Sequence, residues 1–261
     1  MEKNNIKESL EKSYSLLRPF SEKYKIDFKR FIFSLQLLTS ERPIKDKKIL
    51  DIGSGIGIMA IALKNLGAQV TGVDKFIFPD ETENCYTIAD FDKLKHIWDE
   101  NGIKVIKTDV AKEKLPFNDN YFDFIICDAT IEHLNFSPRD LFAEVYRILK
   151  KDGLFLVTTP NLTNLLKRLR FLLGRSPAWD LGDFFHSGSE FRGHRREFTL
   201  NELVKMLEWS SFEIIKKKTR NIFSDPRRLF MFGKITSQLC SVISFPFPSI
   251  REMIYVLSKK K

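Results

Sequence analysis

Asp51, Gly53, Gly55 and Gly57 stand at alternate positions in the run Ile49-Leu50-Asp51-Ile52-Gly53-Ser54-Gly55-Ile56-Gly57, and Asp74 closes a second apolar run, Val70-Thr71-Gly72-Val73-Asp74. Glycines in such a turn let a ligand lie against bare backbone, and a carboxylate about twenty residues on can accept ribose hydroxyls. These residue types therefore suit a nucleotide cradle between a strand and a helix. A dinucleotide fingerprint, G-x-G-x-x-G, would need a glycine where this chain has Ile58, so hydride transfer with a nicotinamide cofactor is disfavoured. A tight turn with no ligand at all would also use glycine.

Three acids fall at the ends of apolar runs, where ligands bind in open α/β sheets: Asp74, Asp109 and Asp128. Each has a structural alternative as a turn or helix cap. Of the four histidines, His133 follows the run ending at Asp128, and His186 and His194 lie in the glycine- and charge-rich loop from Asp183 to Arg196, which suits a lid. His96 sits in a polar helix and reads as a surface residue. An ordinary imidazole titrates near pH ~6.5 and can take a proton at neutral pH, which makes His133 and His194 the candidate general bases. Cys85, Cys127 and Cys240 are odd in number and widely spaced, as reduced thiols rather than bridges or metal ligands would be; no metal site is expected.

Asp51, Gly53, Gly55 and Gly57 match in full the D/E-x-G-x-G-x-G motif of the class I S-adenosylmethionine-dependent methyltransferases, and the segment resembles that family. The likeness covers roughly residues 45–215. It continues through Leu115-Pro116-Phe117-Asn118-Asp119-Asn120-Tyr121-Phe122-Asp123, Ile131-Glu132-His133-Leu134, Glu144-Val145-Tyr146-Arg147-Ile148-Leu149-Lys150 and Gly153, Thr158-Thr159-Pro160-Asn161, and the stretch from Gly188 to Thr199 with Leu203. The resemblance implies S-adenosyl-L-methionine as cofactor. It implies a cradle of Asp51, Gly53, Ser54, Gly55 and Gly57, with Asp74 and the adjoining Lys75 at the ribose, Asp109 and the Val110 amide at the adenine, and Asp128 near the methionine moiety or the acceptor. Related enzymes that methylate nucleobase amines carry Pro-Pro-Tyr after the fourth strand. This chain has Asp128-Ala129-Thr130-Ile131, which argues for a hydroxyl or another non-nucleobase acceptor. Proteins of similar layout accompany bacterial surface polysaccharide assembly, so a small-molecule, glycan or lipid-linked acceptor is implied. An RNA methyltransferase and a non-catalytic Rossmann-like binding protein are the alternatives.

The elements that must position these residues follow from periodicity. Strands are expected at 48–53, 69–74, 104–109, 122–128, 154–158, 212–219 and 252–258. The near-continuous apolar run at 122–128 has the signature of a central strand covered on both faces. Met59, Leu63 and Leu66 stripe the first crossover helix, which stops at Gly67. Ser137 and Pro138 open a helix running to Lys150-Lys151-Asp152-Gly153, and Thr199-Leu200-Asn201-Glu202 is a capping box. The fold class is thus α/β, a Rossmann-like doubly wound seven-stranded sheet, mostly parallel with an antiparallel last strand. In a single 261-residue domain, 1–44 forms a helical cover over the cofactor, 45–220 and 249–261 the core, and 221–248 an insertion between the last two strands.

Charge is uneven. Residues 151–261 hold 20 Lys and Arg against 10 Asp and Glu, while the chain as a whole is +9. Within the insertion, Arg227 and Arg228 precede Phe232, Ile235, Leu239 and Val242 at helical spacing, the pattern of an interfacial helix on an anionic membrane over 227–245. A pocket lid or dimer contact would use the same stripe. No run of about eighteen uncharged apolar residues occurs and the N-terminus is polar. The expectation is a cytoplasmic protein, peripheral to the inner face of a membrane if the helix anchors it, with nucleic acid an improbable partner.

Overall fold

The computed structural model describes residues 3–76, 88–187, 191, 193–222, 242–244 and 246–261. The insertion's stripe residues Phe232, Ile235 and Leu239, and the thiols Cys85 and Cys240, lie outside them. Seven strands form one sheet in the order β3-β2-β1-β4-β5-β7-β6. They are β1 (Lys48–Ile52), β2 (Gln69–Asp74), β3 (Lys104–Lys107), β4 (Phe122–Asp128), β5 (Leu149–Pro160), β6 (Phe212–Arg220) and β7 (Met253–Lys260). Pairings from β3 through β5 are parallel, and β7 runs antiparallel between β5 and β6. This is the expected Rossmann-like sheet with its reversed last strand.

Successive side chains of a strand leave opposite faces, so the central strands feed two cores. Ile49, Phe124, Ile126, Leu154, Leu156, Tyr255 and Leu257 are buried on one face with helices α1 (Lys3–Leu16), α2 (Phe28–Thr39), α3 (Ile58–Asn65) and α4 (Ile88–Glu100). Leu50, Ile52, Ile125, Cys127, Phe155, Val157, Ile254 and Val256 are buried on the other with α5 (Arg139–Ile148) and, further along the chain, α8 (Leu200–Trp209).

The N-terminal helices differ from expectation. They cover the sheet and α3, and no described residue of 1–44 lines the cavity described below. α1 lies against α3, where the Ser9 hydroxyl donates to the Ala62 carbonyl at 2.7 Å. This is why Ile58 to Leu63 are buried all round rather than along a single stripe. α5 stops at Ile148, short of the expected Gly153. Leu149 turns extended and pairs with Phe122, so the extra residues lengthen β5. The capping box forms as expected, with the Thr199 hydroxyl accepting from the Glu202 amide at 3.2 Å and the Glu202 carboxylate from the Thr199 amide at 2.8 Å.

Candidate active site

The turn between β1 and α3 brings the glycine run against the end of β2. The Gly53 and Ser54 amides donate to the Val73 carbonyl at 2.8 and 3.2 Å. The Gly55 amide donates to Asp74 Oδ2 at 2.8 Å, and Phe76 N–H to Oδ1 at 3.0 Å. Asp74 is thereby aimed by two backbone bonds that leave its remaining lone pairs for a ligand. The glycines have different reasons. Gly57, at φ 87°, turns into α3 where a Cβ would sit 2.6 Å from the Trp98 indole nitrogen, and that nitrogen donates to the Ile56 carbonyl at 2.9 Å. It serves packing. Gly55, at φ 52°, would meet no protein atom within 4 Å, as bare backbone facing a ligand requires.

A cavity of about 280 Å³ opens over the carboxyl ends of the strands. Gly53, Asp74, Lys75, Asp109 and Val110 line one part of it, and Thr130, His133, Phe136 and Phe191 another. Asp109 Oδ1 accepts from the Ala111 amide at 3.1 Å while Oδ2 lies 3.4 Å from Lys75 Nζ, so the turn-cap alternative and the cavity placement both hold for this residue. Asp51, Ser54, Gly55, Gly57, Asp128 and His194 are not among the lining groups.

Asp51 and Asp128 lie beneath the cavity, in a buried cluster with Glu132 and Arg30. Asp128 Oδ2 is 2.9 Å from Arg30 Nη1, and its Oδ1 accepts from the hydroxyls of Thr158 and, at 3.4 Å, Ser34. Asp128 thus ties α2 to the site instead of facing the cavity. Glu132 is wholly buried, with Oε2 accepting from the Thr159 hydroxyl at 3.1 Å. Burial first, then the negative charges of Asp128 and Asp74, push the Asp51 carboxyl up to about 8. Burial lifts Glu132 to about 7. Arg30 pairs with Asp27 as well, Nη2 lying 3.2 Å from Asp27 Oδ1, so the guanidinium charge is matched within the protein.

The Glu132 carbonyl accepts from the amides of Arg195 and Arg196 at 2.8 and 3.3 Å, which brings the 193–197 loop to β4's end. His133 Nδ1 donates to the Gly193 carbonyl at 3.2 Å, since a carbonyl only accepts; a neutral His133 then carries its lone pair on Nε2. His194 stands edge-on to His133 with ring centroids 4.8 Å apart. Its Nδ1 is 2.6 Å from Glu197 Oε1, and Glu197 also pairs with Lys167. The two candidate bases are therefore neighbours. His96 is on the surface, 3.3 Å from Glu100. His186 caps the end of the short helix α7 (Leu181–Phe185) and is exposed.

The profile of the methyltransferase-domain family matches residues 24–217. This chain belongs to the methyltransferase-domain family. A ubiquinone biosynthesis O-methyltransferase of Pelagibacter ubique is 31% identical over 133 residues, which is 51% of this chain and 50% of that protein. The chain spans about half the length of the curated relatives it matches first. Among solved structures, an S-adenosylmethionine-dependent methyltransferase of Mesorhizobium loti superposes with a TM-score of 0.58 at 15% identity, covering 90% of this chain and 97% of that one. The Haemonchus contortus phosphoethanolamine N-methyltransferase 2, in complex with S-adenosyl-L-methionine, gives 0.55 at 19% identity, covering 87% of this chain and 52% of that one. These structures establish the fold.

The methyltransferase cofactor is S-adenosylmethionine, and the residues present fit it. Open backbone at Gly55 and the aimed Asp74 carboxylate suit its nucleoside. When bound, it supplies an already activated methyl group, so the protein's part is alignment, exclusion of water and removal of a proton. Arg30 and Glu132 are the groups that sequence reasoning missed. Arg30 had a signal: with Ser34, four residues on, it falls on the same face of α2 as the apolar Phe31, Leu35 and Leu38 that the helix buries.

Proposed function

We propose that this methyltransferase transfers its methyl group to a hydroxyl on a small-molecule, glycan or lipid-linked acceptor. The observation that carries the reading is one cavity lined both by Gly53, Asp74, Asp109 and Val110 and by His133, Phe136 and Phe191. In this reading Asp74 and Lys75 hold the ribose, Asp109 and the Val110 amide meet the adenine, and the Asp51, Gly53, Ser54, Gly55 and Gly57 turn cradles the nucleoside. Asp128 acts from below, by holding α2 to the site through Arg30. His133 Nε2 takes the acceptor's proton, and His194, turned by Glu197, positions it or shares that task. Relatives named as O-methyltransferases support an oxygen acceptor. A surface-polysaccharide setting rests on the sequence resemblance, and an anionic membrane contact through 227–245 on the helical spacing of its apolar residues beside Arg227 and Arg228. Among the described residues no helix is long and apolar enough to cross a membrane.

The test is to incubate the protein with S-adenosylmethionine carrying a labelled methyl group and lipid, glycan and RNA extracts, then locate the label by mass spectrometry. Label on a hydroxyl of a lipid or glycan is expected. Label on RNA, or on nitrogen, would overturn the acceptor assignment.

A further inference from the structure

Between β5 and α8 the described chain forms two helices that hold to the rest of the protein by a few contacts only. Neither α6 (Leu165–Leu172) nor α7 buries a single side chain. Phe171, Leu172, Leu173, Leu181, Phe184 and Phe185 are 54–79% exposed. Scattered exposed leucines are ordinary, but six large apolar side chains within fifteen residues of sequence form a patch of the kind that marks a binding surface. The segment's charge is of one sign along most of its length. From Leu162 to Trp179 it carries Lys167, Arg168, Arg170 and Arg175 and no acid.

This patch also connects to the cavity. The Phe184 ring packs edge-on against Phe191, which lines the cavity, with centroids 5.0 Å apart. Trp179 lies 6.3 Å from Phe191 and 4.7 Å from His194. Lys167, within α6, pairs with the same Glu197 carboxylate that takes His194 Nδ1. An apolar, aromatic route thus leads from the exposed helices to the rim where His133 and His194 meet.

We propose that α6 and α7 dock on an anionic lipid bilayer, with the apolar side chains entering the acyl boundary and Arg168, Arg170 and Arg175 meeting lipid phosphates. Helices with large apolar side chains flanked by Arg bind membrane interfaces through buried apolar area plus attraction to anionic headgroups. Four cations and no acid between Leu162 and Trp179 give the one-signed charge that attraction to anionic headgroups calls for. Docking in this way sets the cavity mouth at the interface, where an acceptor with an acyl or prenyl tail can present its hydroxyl without leaving the membrane. The proposal concerns a segment distinct from 227–245 and stands whether the acceptor is a glycan or a smaller molecule.

The test is flotation of the full chain with phosphatidylcholine vesicles, with and without about a third phosphatidylserine. The protein should float with the anionic vesicles alone. Arg168→Ala with Arg170→Ala should weaken binding by roughly 30-fold at low salt, and Leu172→Ser with Phe185→Ser by more than about tenfold at any salt. Because these side chains are exposed, melting temperatures should match wild type. In a Trp209→Phe background the emission of Trp179 should shift to the blue on adding anionic vesicles. Failure of the wild-type chain to float overturns the proposal. So does a Leu172→Ser, Phe185→Ser protein that floats as well as wild type, since another segment would then be the anchor. If that variant instead dissolves a dimer seen by sedimentation and wild type ignores vesicles, the patch is a contact between copies and the proposal fails.

Discussion

Arg30→Met removes the cation from the buried pair with Asp128 while keeping most of the apolar stem. The two side chains are only 8% and 4% exposed and their charged atoms lie 2.9 Å apart. Asp128 would retain its bonds from Thr158 and Ser34, but a carboxylate near Asp51 and Glu132 would have lost its counter-charge. Breaking a buried pair from one side costs about 3–5 kcal/mol. For a chain of this size each kcal/mol moves the melting temperature by about 2–4 °C, so a fall of about 6–20 °C is expected. The double variant Arg30→Met, Asp128→Asn removes both charges of this pair at once and should recover part of the loss, the rest belonging to Asp27, which Arg30 also holds at 3.2 Å. Urea unfolding of wild type, both single variants and the double variant at pH 7 closes the cycle. If Arg30→Met loses less than about 1 kcal/mol, or the double variant is no more stable than Arg30→Met, the pair is not what fastens α2 to the site.

Asp74→Ala should weaken S-adenosylmethionine binding by roughly 1.5–3 kcal/mol in calorimetry, and Gly55→Val should abolish it; NADH binding in place of S-adenosylmethionine would refute the cofactor assignment. His133→Ala should slow single-turnover methyl transfer about a hundred- to ten-thousand-fold with cofactor affinity intact. His194→Ala does the same only if it is the base; if both variants keep more than about a tenth of the rate, catalysis rests on alignment alone. Asp51 sets a pH dependence whose sign follows from its raised folded value. An unfolded aspartate ionises near ~4 whereas the folded one holds its proton to about 8, so folding binds a proton in between and stability declines as pH climbs through that window. Asp51→Asn should remove that slope, gaining on wild type between pH 5 and 8 in urea midpoints; parallel pH profiles would show that Asp51 is ionised in the folded chain.

The strands and the glycine turn were legible because their signals are local: apolar runs bounded by Gly and Asp, and a capping box at Thr199 and Glu202. What sequence could not show depends on chain crossings. Asp51 and Asp128 sit at strand ends as read, yet Arg30, nearly a hundred residues from Asp128, takes Asp128 from below. Gly57 belongs to the motif, but its demand for a missing side chain comes from Trp98 on α4. Part of the family-like pattern proves to be scaffolding. Arg147 Nη1 and Nη2 donate to the Phe117 and Leu115 carbonyls at 2.8 and 3.0 Å, while Arg147 also pairs with Glu144 and Asp119. The Glu144–Arg147 pair therefore pins the segment from Leu115 to Asp119.

The place of β7 has a consequence for how the chain comes to be folded. Its partners are β5 and β6, which do not touch each other as neighbours in the sheet, so the strand made after both is the one that joins them. Until Met253–Lys260 has emerged from the ribosome, β5 presents an unpaired edge at Leu154–Pro160 and β6 has no partner strand. Such edges invite pairing with other chains. The nascent protein must carry the β5 edge through synthesis of everything from 161 onward and that of β6 from 221, while the cofactor half from β1 to β4, whose pairings lie upstream, can already close. The last of the seven strands in sequence is thus the one on which closing both edges depends.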